Sequence, residues 1–364
     1  MRLKLLTSAL ILICPLMAAC GGSLSTPPST LQNASTNAAA LAGKTERPFA
    51  YVAQICATSM SCPSPNGLVQ TLDGQTITTG IENPTTLALD DSGNLFVGNA
   101  TTSNEGDVTV YAPNSQTPAR TLSGLLGVPK GLIADAAGSL YVIDQYRAGC
   151  CELEGTGAIY AAGASKSHEH LKGLSGFAHS PVIDKLGNLY VGNFSIFPGW
   201  VSVYGPGKRA PSRIINKGIG LPIQLALAPN GDLVVVNGLF TGKSDVTVYR
   251  AGEGTPSLTI EAGLHSPVAV AVDARGNIYV GNGGDKKARA SITVYQKGQT
   301  TVWRTIRSGF TYPAALAFDA SGRLYVANVP DKATNTIAVF APGGSKPVHT
   351  YALEEQFSAM AMPR

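Results

Sequence analysis

Seven polar side chains recur at equivalent places along the sequence, each at the end of a short β-rich run. They are Gln54, Asn99, Asp144, Asn193, Asn237, Asn282 and Asn328. Amide and carboxylate groups gathered at one face of a protein can bind a sugar, a cation or another polar ligand. The same side chains can instead hydrogen-bond the turn after each run, and their repetition favours this structural role. Asp144 is the only acid of the set, so we predict that it differs in role from the others.

A second set of equivalent positions varies in residue type and is a better guide to function. It consists of Thr85, Lys130, His179, Ile223, Val268, Ala314 and Ser358. If they converged, His179 as a base, Lys130 as a cation and Asp144 as an orienting acid would form a catalytic group. The histidine and the lysine can equally do no more than line a polar pore, because Ile223 and Val268 make much of the set apolar.

Other motifs give little support for chemistry. His168-Glu169-His170 places two imidazoles two residues apart, but a metal site would need a third ligand, and a solvated edge strand is the simpler interpretation. The segment GLFTGKSD from Gly238 is one residue shorter than a phosphate-binding loop, and no helix follows it. We therefore predict no metal site and no cofactor, and we expect a divalent cation only if the protein is an enzyme.

The elements that must position these residues are sequence repeats. Six similar segments begin at Pro84, Pro129, Ala178, Pro222, Pro267 and Pro313. Their turn glycines, 44 to 49 residues apart, are Gly93, Gly138, Gly187, Gly231, Gly276 and Gly322. Each unit holds four short β-rich runs separated by turn residues, which is the pattern of one four-stranded antiparallel blade. The sequence therefore predicts an all-β fold, a β-propeller.

The two ends of the chain supply one further blade. QFSAMAM near the C-terminus matches the first run of a unit, and FAYVAQ near residue 50 matches the second run, with Tyr51 equivalent to Tyr325. We predict that the C-terminal strand is the innermost of this blade and pairs with the N-terminal strands, which closes the ring. The result is a seven-bladed propeller. Six blades are the alternative, because GLVQTLDG lacks the V-x-V-Y pattern of the other units.

The turns and second strands of the units resemble a known family. The turn aspartates, whose carboxylates can accept backbone N–H groups, are Asp90, Asp135, Asp184, Asp273 and Asp319. The second-strand tyrosines are Tyr141, Tyr190, Tyr279 and Tyr325. Together these residues resemble the NHL repeat and the related streptogramin-lyase-like and lactonase-like propellers. The resemblance covers about residues 47–364 and implies a fold rather than an activity, since such repeats occur in enzymes, binding platforms and scaffolds.

The sequence lacks some of the catalytic residues that the enzymes of this family carry. Propeller lactonases hold a divalent cation with Glu, Asn and Asp at the channel mouth, whereas this sequence has no Glu at those positions, and only Glu152 and Glu154 in a long loop could substitute. The catalytic histidine of the lyases cannot be placed on His179 or His265. The resemblance thus makes catalysis the minority hypothesis.

The N-terminus has the organisation of a targeting segment. Arg2 and Lys4 precede an apolar run that is too short for an ordinary membrane span. The following residues, LMAAC, resemble a bacterial lipobox, which implies that residues 1–19 are a cleaved lipoprotein signal peptide and that Cys20 is lipidated. An ordinary secretory signal is the alternative. Residues 20–46 are rich in Ser, Thr, Ala, Asn and Pro, and we predict a flexible linker between the lipid and a propeller at 47–364.

The lipid would attach the protein to a membrane of the bacterial cell envelope. Gly21 follows Cys20 where an Asp commonly retains lipoproteins in the inner membrane, so we expect the outer membrane in a cell that has two. Four further cysteines fit an oxidising compartment and predict disulfides. Cys56 and Cys62 can close a small loop, while Cys150 and Cys151 can pair with each other or elsewhere.

Composition agrees with this assignment and excludes other classes. Of the 364 residues, 44% are hydrophobic and 14% charged, with 41 Gly and 23 Pro. Such a chain favours short strands and many turns over long helices. The net charge of +4 is spread thinly, so we predict no nucleic-acid partner.

The leading hypothesis is a non-catalytic envelope platform that binds a protein, peptide or glycan. The alternative is a lactonase-like or lyase-like enzyme acting at the channel mouth.

Overall fold

A computed structural model describes residues 50–55, 66–101, 105–147, 153–167, 169–174, 177–194, 198–238, 244–285, 288–331 and 333–363. Within these ranges the chain forms 28 strands and no helix, and therefore no helix there could span a membrane. Residues 1–49 lie outside the described part, and so the predicted signal peptide, Cys20 and the whole of the predicted linker do as well. The four cysteines predicted to form disulfides also lie outside it, namely Cys56, Cys62, Cys150 and Cys151.

The strands lie in seven four-stranded antiparallel sheets, which we number as blades. Blade 7 contains β1 (Tyr51–Ile55), β2 (Leu68–Thr71), β3 (Thr76–Ile77) and β28 (Gln356–Ala361). Blade 1 contains β4 (Pro84–Leu89), β5 (Leu95–Ala100), β6 (Gly106–Tyr111) and β7 (Arg120–Leu122). Blade 2 contains β8 (Val128–Ala134), β9 (Leu140–Arg147), β10 (Leu153–Tyr160) and β11 (Glu169–His170). Blade 3 contains β12 (His179–Ile183), β13 (Leu189–Asn193), β14 (Trp200–Tyr204) and β15 (Arg213–Ile215).

The remaining three blades repeat the same order. Blade 4 contains β16 (Leu221–Leu227), β17 (Leu233–Gly238), β18 (Asp245–Tyr249) and β19 (Leu258–Ile260). Blade 5 contains β20 (Pro267–Val272), β21 (Ile278–Asn282), β22 (Ser291–Tyr295) and β23 (Arg304–Ile306). Blade 6 contains β24 (Pro313–Phe318), β25 (Leu324–Asn328), β26 (Thr336–Phe340) and β27 (Pro347–Ala352).

Blade 7 joins the two ends of the chain. Its strand order is β28-β1-β2-β3, and Tyr51 pairs with Ala361 as Tyr325 pairs with Ala317 in blade 6. The C-terminal strand is therefore the inner strand of a blade whose other strands are N-terminal. The prediction of seven blades closed by this pairing is confirmed, and the six-bladed alternative is wrong.

The hydrophobic core lies between neighbouring blades. Ala88 and Phe96 of blade 1 pack with Leu132 and Val142 of blade 2, and corresponding clusters join the other blades around the ring. Small residues on the inner strands allow the blades to approach near the axis, while large ones fill the wider space outside. Burial of apolar surface between blades thus supplies the main force that holds the ring together.

The repeated turns have the predicted geometry. The Oδ1 atom of Asp184 accepts the N–H groups of Leu186 and Asn188, both at 2.9 Å, and Gly187 has a φ of 81°. A β-carbon is disfavoured at such a φ, which explains the glycine. Equivalent Asp contacts occur in the other units that carry the residue.

Tyrosines on the third strands of blades 1 to 5 link each of these blades to the one before it. Their hydroxyls donate to backbone carbonyls just after the preceding outer strand, at 2.5 to 2.9 Å. The donors are Tyr111, Tyr160, Tyr204, Tyr249 and Tyr295. Burial raises the pKa of Tyr249 to about 12, so its hydroxyl keeps the proton that it donates. The V-x-V-Y pattern of the sequence thus encodes contacts between blades.

Candidate functional site

The variable residues singled out in the sequence lie at irregularities of the inner strands. The pairing of the inner strand with the second strand of blade 2 shifts by one residue between Pro129 and Gly131, which leaves Lys130 without a partner residue. The same shift in four other blades leaves Thr85, Ile223, Val268 and Ala314 without partner residues. A bulge of this kind turns one side chain away from the regular alternation. Lys130 is half-buried between two buried neighbours, as expected of a side chain that faces the central channel of a propeller.

Two blades carry a modified version of this irregularity. In blade 3 it lies between His179 and Val182, and Ser180 adopts a positive φ of 54°. In blade 7 it leaves Ser358 unpaired between Phe357 and Ala359. Each inner strand therefore has one of the variable residues at or next to this irregularity, and His179 is the one that keeps its pairing, with Gly192. We call these seven residues the channel-mouth set. The set comprises Thr85, Lys130, His179, Ile223, Val268, Ala314 and Ser358.

The channel-mouth set is divided into a polar half and an apolar half. Inner strands that are neighbours in the ring follow the order of the blades. Blades 7, 1, 2 and 3 contribute Ser358, Thr85, Lys130 and His179. Blades 4, 5 and 6 contribute Ile223, Val268 and Ala314. The hydroxyls and basic groups are thus contiguous on one side of the mouth, and the aliphatic side chains face them.

Lys130 and His179 lie on inner strands in direct contact. A β-carbon at Gly131 would overlap the Pro181 ring, and Gln145 Nε2 donates to the Ala178 carbonyl at 3.3 Å. Neither basic side chain forms a hydrogen bond or ion pair with any other residue that the structure describes. Burial lowers the pKa of Lys130 and lowers that of His179 to about 4, so His179 is neutral at pH 7.

Hydrogen bonds between neighbouring inner strands hold the mouth in place. Thr85 Oγ1 donates to the Pro129 carbonyl at 2.6 Å. Ser180 Oγ accepts the Leu225 N–H at 2.9 Å, and Gln224 Oε1 accepts the Val270 N–H at 2.7 Å. Ser180 and Gln224 were missed in the sequence, although a polar residue inside an otherwise apolar inner run is a usable signal. These contacts fix the spacing of the strands that carry the channel-mouth set.

The seven repeated polar residues occupy a different place and are buried at the ends of the second strands. Asn99 Oδ1 accepts the Glu82 N–H at 3.1 Å, and its Nδ2 donates to the Asp107 carboxylate at 2.8 Å. Asn237 repeats both contacts with Gly220 and Asp245. Corresponding oxygens accept backbone N–H groups in Gln54, Asp144, Asn282 and Asn328. Asn193 donates to the Val191 carbonyl and to Ser202. In six blades these bonds fasten the loop that leads into the inner strand rather than the turn after the second strand, and Asn193 is the exception. The role is structural as predicted but serves a different loop, and binding of a ligand stays a prediction.

Asp144 carries a carboxyl group where the other six equivalent positions carry an amide. Its Oδ2 accepts the N–H groups of Leu126 and Gly127 at 3.0 and 2.9 Å. Oδ1 is buried without a hydrogen-bond partner in the described structure. Burial raises the pKa of Asp144, while the nearby Thr156 hydroxyl, the two N–H donors and the charge of His170 offset part of that rise. An amide could donate a hydrogen bond where this carboxylate cannot.

The structure therefore brings together only part of the predicted catalytic group. Lys130 and His179 share the polar half of the channel mouth. Asp144 lies on the strand next to that of Lys130, but the groups that act on its carboxyl are Thr156, Leu126, Gly127 and His170. Glu169 and His170 form β11, an outer strand, and His168 lies outside the described residues. No group of three or more His, Cys, Asp or Glu among the residues with described positions could hold a metal ion. The catalytic role of the three residues stays a prediction.

Comparison with known proteins supports the fold and goes no further. No family model and no curated protein sequence matches this chain. Hydrazine synthase of Kuenenia stuttgartiensis is similar in structure, with 13% identity, a TM-score of 0.59, and coverage of 71% of this chain and 76% of that one. A protein from Lactobacillus plantarum has 16% identity and a TM-score of 0.65, covering 86% of this chain and 99% of that one. Both similarities show the β-propeller fold alone.

Proposed function

We propose that this chain is a lipid-anchored protein of the bacterial cell envelope whose propeller is a non-catalytic platform that binds a protein, peptide or glycan. The observation that carries the proposal is the bonding of the repeated polar residues. Asn99 and Asn237 use both ends of their amides within the protein, so stability of the ring explains their presence. Residue types vary instead at the channel mouth, which is what a site of specific recognition requires.

Attachment through Cys20 is tested by fractionation of cells that express the full chain. We expect Cys20→Ala to move the propeller from the membrane to the soluble fraction, because the lipid is the proposed anchor. Cys14→Ala is the matched control, since Cys14 lies within the proposed signal peptide, and should leave the protein in the membrane. Unchanged fractionation of Cys20→Ala would refute the anchor. A gradient that separates inner from outer membrane tests the outer-membrane assignment.

Binding is tested with the soluble Cys20→Ala protein immobilised under gentle conditions. We expect it to retain an envelope protein, a peptide or a polysaccharide that heat-unfolded protein does not retain. Failure to retain any such component would contradict the platform proposal.

Peptide mapping without reduction tests the disulfides proposed among Cys56, Cys62, Cys150 and Cys151. Free thiols at all four positions would exclude them.

A lactonase-like or lyase-like enzyme is the second candidate, and one observation favours it. His179 and Lys130 lie on inner strands that are in direct contact, so that a proton acceptor and a cation lie at the same end of the channel. Metal analysis of the purified protein separates the candidates for metal-dependent chemistry. A stoichiometric divalent ion would support the enzyme, while the platform requires none. Loss of turnover in His179→Gln would then assign the base.

A further inference from the structure

The polar half of the channel mouth contains one lysine, Lys130, that lacks a counter-charge within the described protein, next to the neutral imidazole of His179. Lys130 and His179 approach the mouth from adjacent strands, and neither meets a described carboxylate. A cation removed from water without a partner is unfavourable. An anionic group entering from outside would supply the missing interaction.

The other residues of the mouth restrict what this anion can belong to. Ile223 and Val268 stand on the opposite side and remain half-buried, so they offer apolar surface to a ligand. Thr85 already donates its hydroxyl proton to the Pro129 carbonyl, which leaves its oxygen free to accept. Ser358 Oγ, beside it on the next blade, is buried with no hydrogen-bond partner in the described part of the chain.

We propose that the channel mouth binds the C-terminal end of a peptide, with the free carboxylate at Lys130 and His179 and an apolar last side chain against Ile223 and Val268. The peptide N–H beside that carboxylate matches the acceptor oxygen of Thr85. A free fatty acid would provide the carboxylate and the apolar chain but no group for the hydroxyl. This inference rests on the proposed binding function and narrows its ligand to one chemical class.

Calorimetric titration of the full chain with an acetylated tripeptide ending in leucine tests the proposal directly. We expect the free acid to bind and its C-terminal amide to bind at least about tenfold more weakly. Octanoate, which lacks the amide, should also bind at least about tenfold more weakly. Equal binding of acid and amide, no binding of the acid, or tighter binding of octanoate would each overturn the proposal. This comparison needs no variant and is independent of folding defects.

Two variants with matched controls locate the binding site. Lys130→Met should weaken binding of the free acid about tenfold or more, whereas Lys208→Met, on an exposed turn, should change it less than about twofold. Val268→Thr should reduce the preference for leucine over alanine at the last position, and Val302→Thr, at an exposed site, should not. Unchanged acid binding by Lys130→Met would overturn the site. If Lys130→Met still retained envelope components in the capture experiment, the proposed binding function would hold, but a peptide C-terminus at the channel mouth would not be its ligand.

Discussion

Asp144 shows how one residue within a repeat can depart from the chemistry of its equivalents. Five other blades carry an asparagine at this position, and its amide both accepts from the incoming loop and donates to the third strand, as in Asn99. The carboxylate of Asp144 preserves only the accepting contacts. A buried ionised group with an unsatisfied oxygen lowers stability. At the residue scale, this site is a stability defect that the sequence could have avoided.

The first prediction follows from that defect. Because the pKa of Asp144 is raised, the folded protein holds its proton more tightly than the unfolded chain does, so the free energy of unfolding falls as pH rises through the ordinary Asp range toward the raised pKa. Asp144→Asn should remove this dependence and stabilise the protein by about 1 kcal/mol at pH 7. Urea unfolding of both proteins across this pH range measures the difference in their free energies of unfolding. The reverse change, Asn237→Asp, is the control and should destabilise; a less stable Asp144→Asn would contradict the argument.

The second prediction concerns His179. Its pKa of about 4 lies below the usual value, so the unfolded chain binds a proton that the folded protein does not. The free energy of unfolding should therefore fall as pH decreases from about 6.5 toward 4, by about 2.5 kcal/mol from this group. His179→Gln should reduce that fall in urea unfolding at pH 7 and 4.5. His349→Gln, at an exposed site, is the control and should leave the pH dependence of the unfolding free energy unchanged. The same pH dependence in His179→Gln as in the original protein would contradict the burial effect.

At the scale of elements, the third strands of blades 1 to 5 each carry a buried tyrosine that holds the blade before it. This contact joins elements that are distant in the sequence, such as Tyr249 of β18 and the Lys217 carbonyl after β15. The inner strands are joined separately by Thr85, Ser180 and Gln224. Each pair of blades therefore depends on polar contacts at specific positions as well as on apolar packing.

Removal of one tyrosine hydroxyl tests this role. Tyr249→Phe leaves the Lys217 carbonyl without its 2.7 Å hydrogen bond from a buried tyrosine and should destabilise the protein by about 1 kcal/mol. Thermal and urea unfolding give the value. Tyr351→Phe, on the outer strand β27 and half-buried, is the control and should change stability by less than about 0.5 kcal/mol. Equal effects of the two substitutions would argue against a contribution from the hydroxyl.

At the scale of the whole molecule, the ring depends on the pairing of its two ends. Strand β28 is the inner strand of blade 7 and pairs with β1 along Tyr51–Ile55. Phe357 and Met360 of this strand pack in the cluster that joins blade 7 to blade 6. Without β28 the ring would have an exposed strand edge and an open core on both sides of the gap.

Truncation tests closure of the ring. Deletion of residues 356–364 should abolish the cooperative thermal transition and produce aggregates in size-exclusion chromatography, because β1 loses its inner partner. Deletion of residues 363–364 only, beyond the buried Met362, is the control and should leave both measurements unchanged. A cooperative monomer lacking 356–364 would show that closure is not required.

The sequence alone predicted seven blades, with six as the alternative, and it located the strands and the turn residues, because local signals such as D-x-x-G turns and alternating apolar residues recur at a regular spacing. It also identified the channel-mouth set by its variability. The directions of individual side chains could not be obtained this way. The inner-strand bulge shifts Lys130 and His179 out of the simple alternation, and its place depends on the partner strand.

Only the tertiary structure showed that the Asp144 carboxylate is used by the loop N–H groups of Leu126 and Gly127. Lys130 follows Pro129, the strand partner of Asp144, yet neither Lys130 nor His179 contributes to the pKa shift of that carboxyl. The tertiary structure also placed Ser358 beside Thr85, although 273 residues separate them in the sequence, since the ends of the chain meet in blade 7. The division of the mouth into polar and apolar halves therefore exists only in the closed ring. Local sequence patterns encode strands and turns, whereas the neighbours of a side chain across the axis are set by closure of the whole molecule.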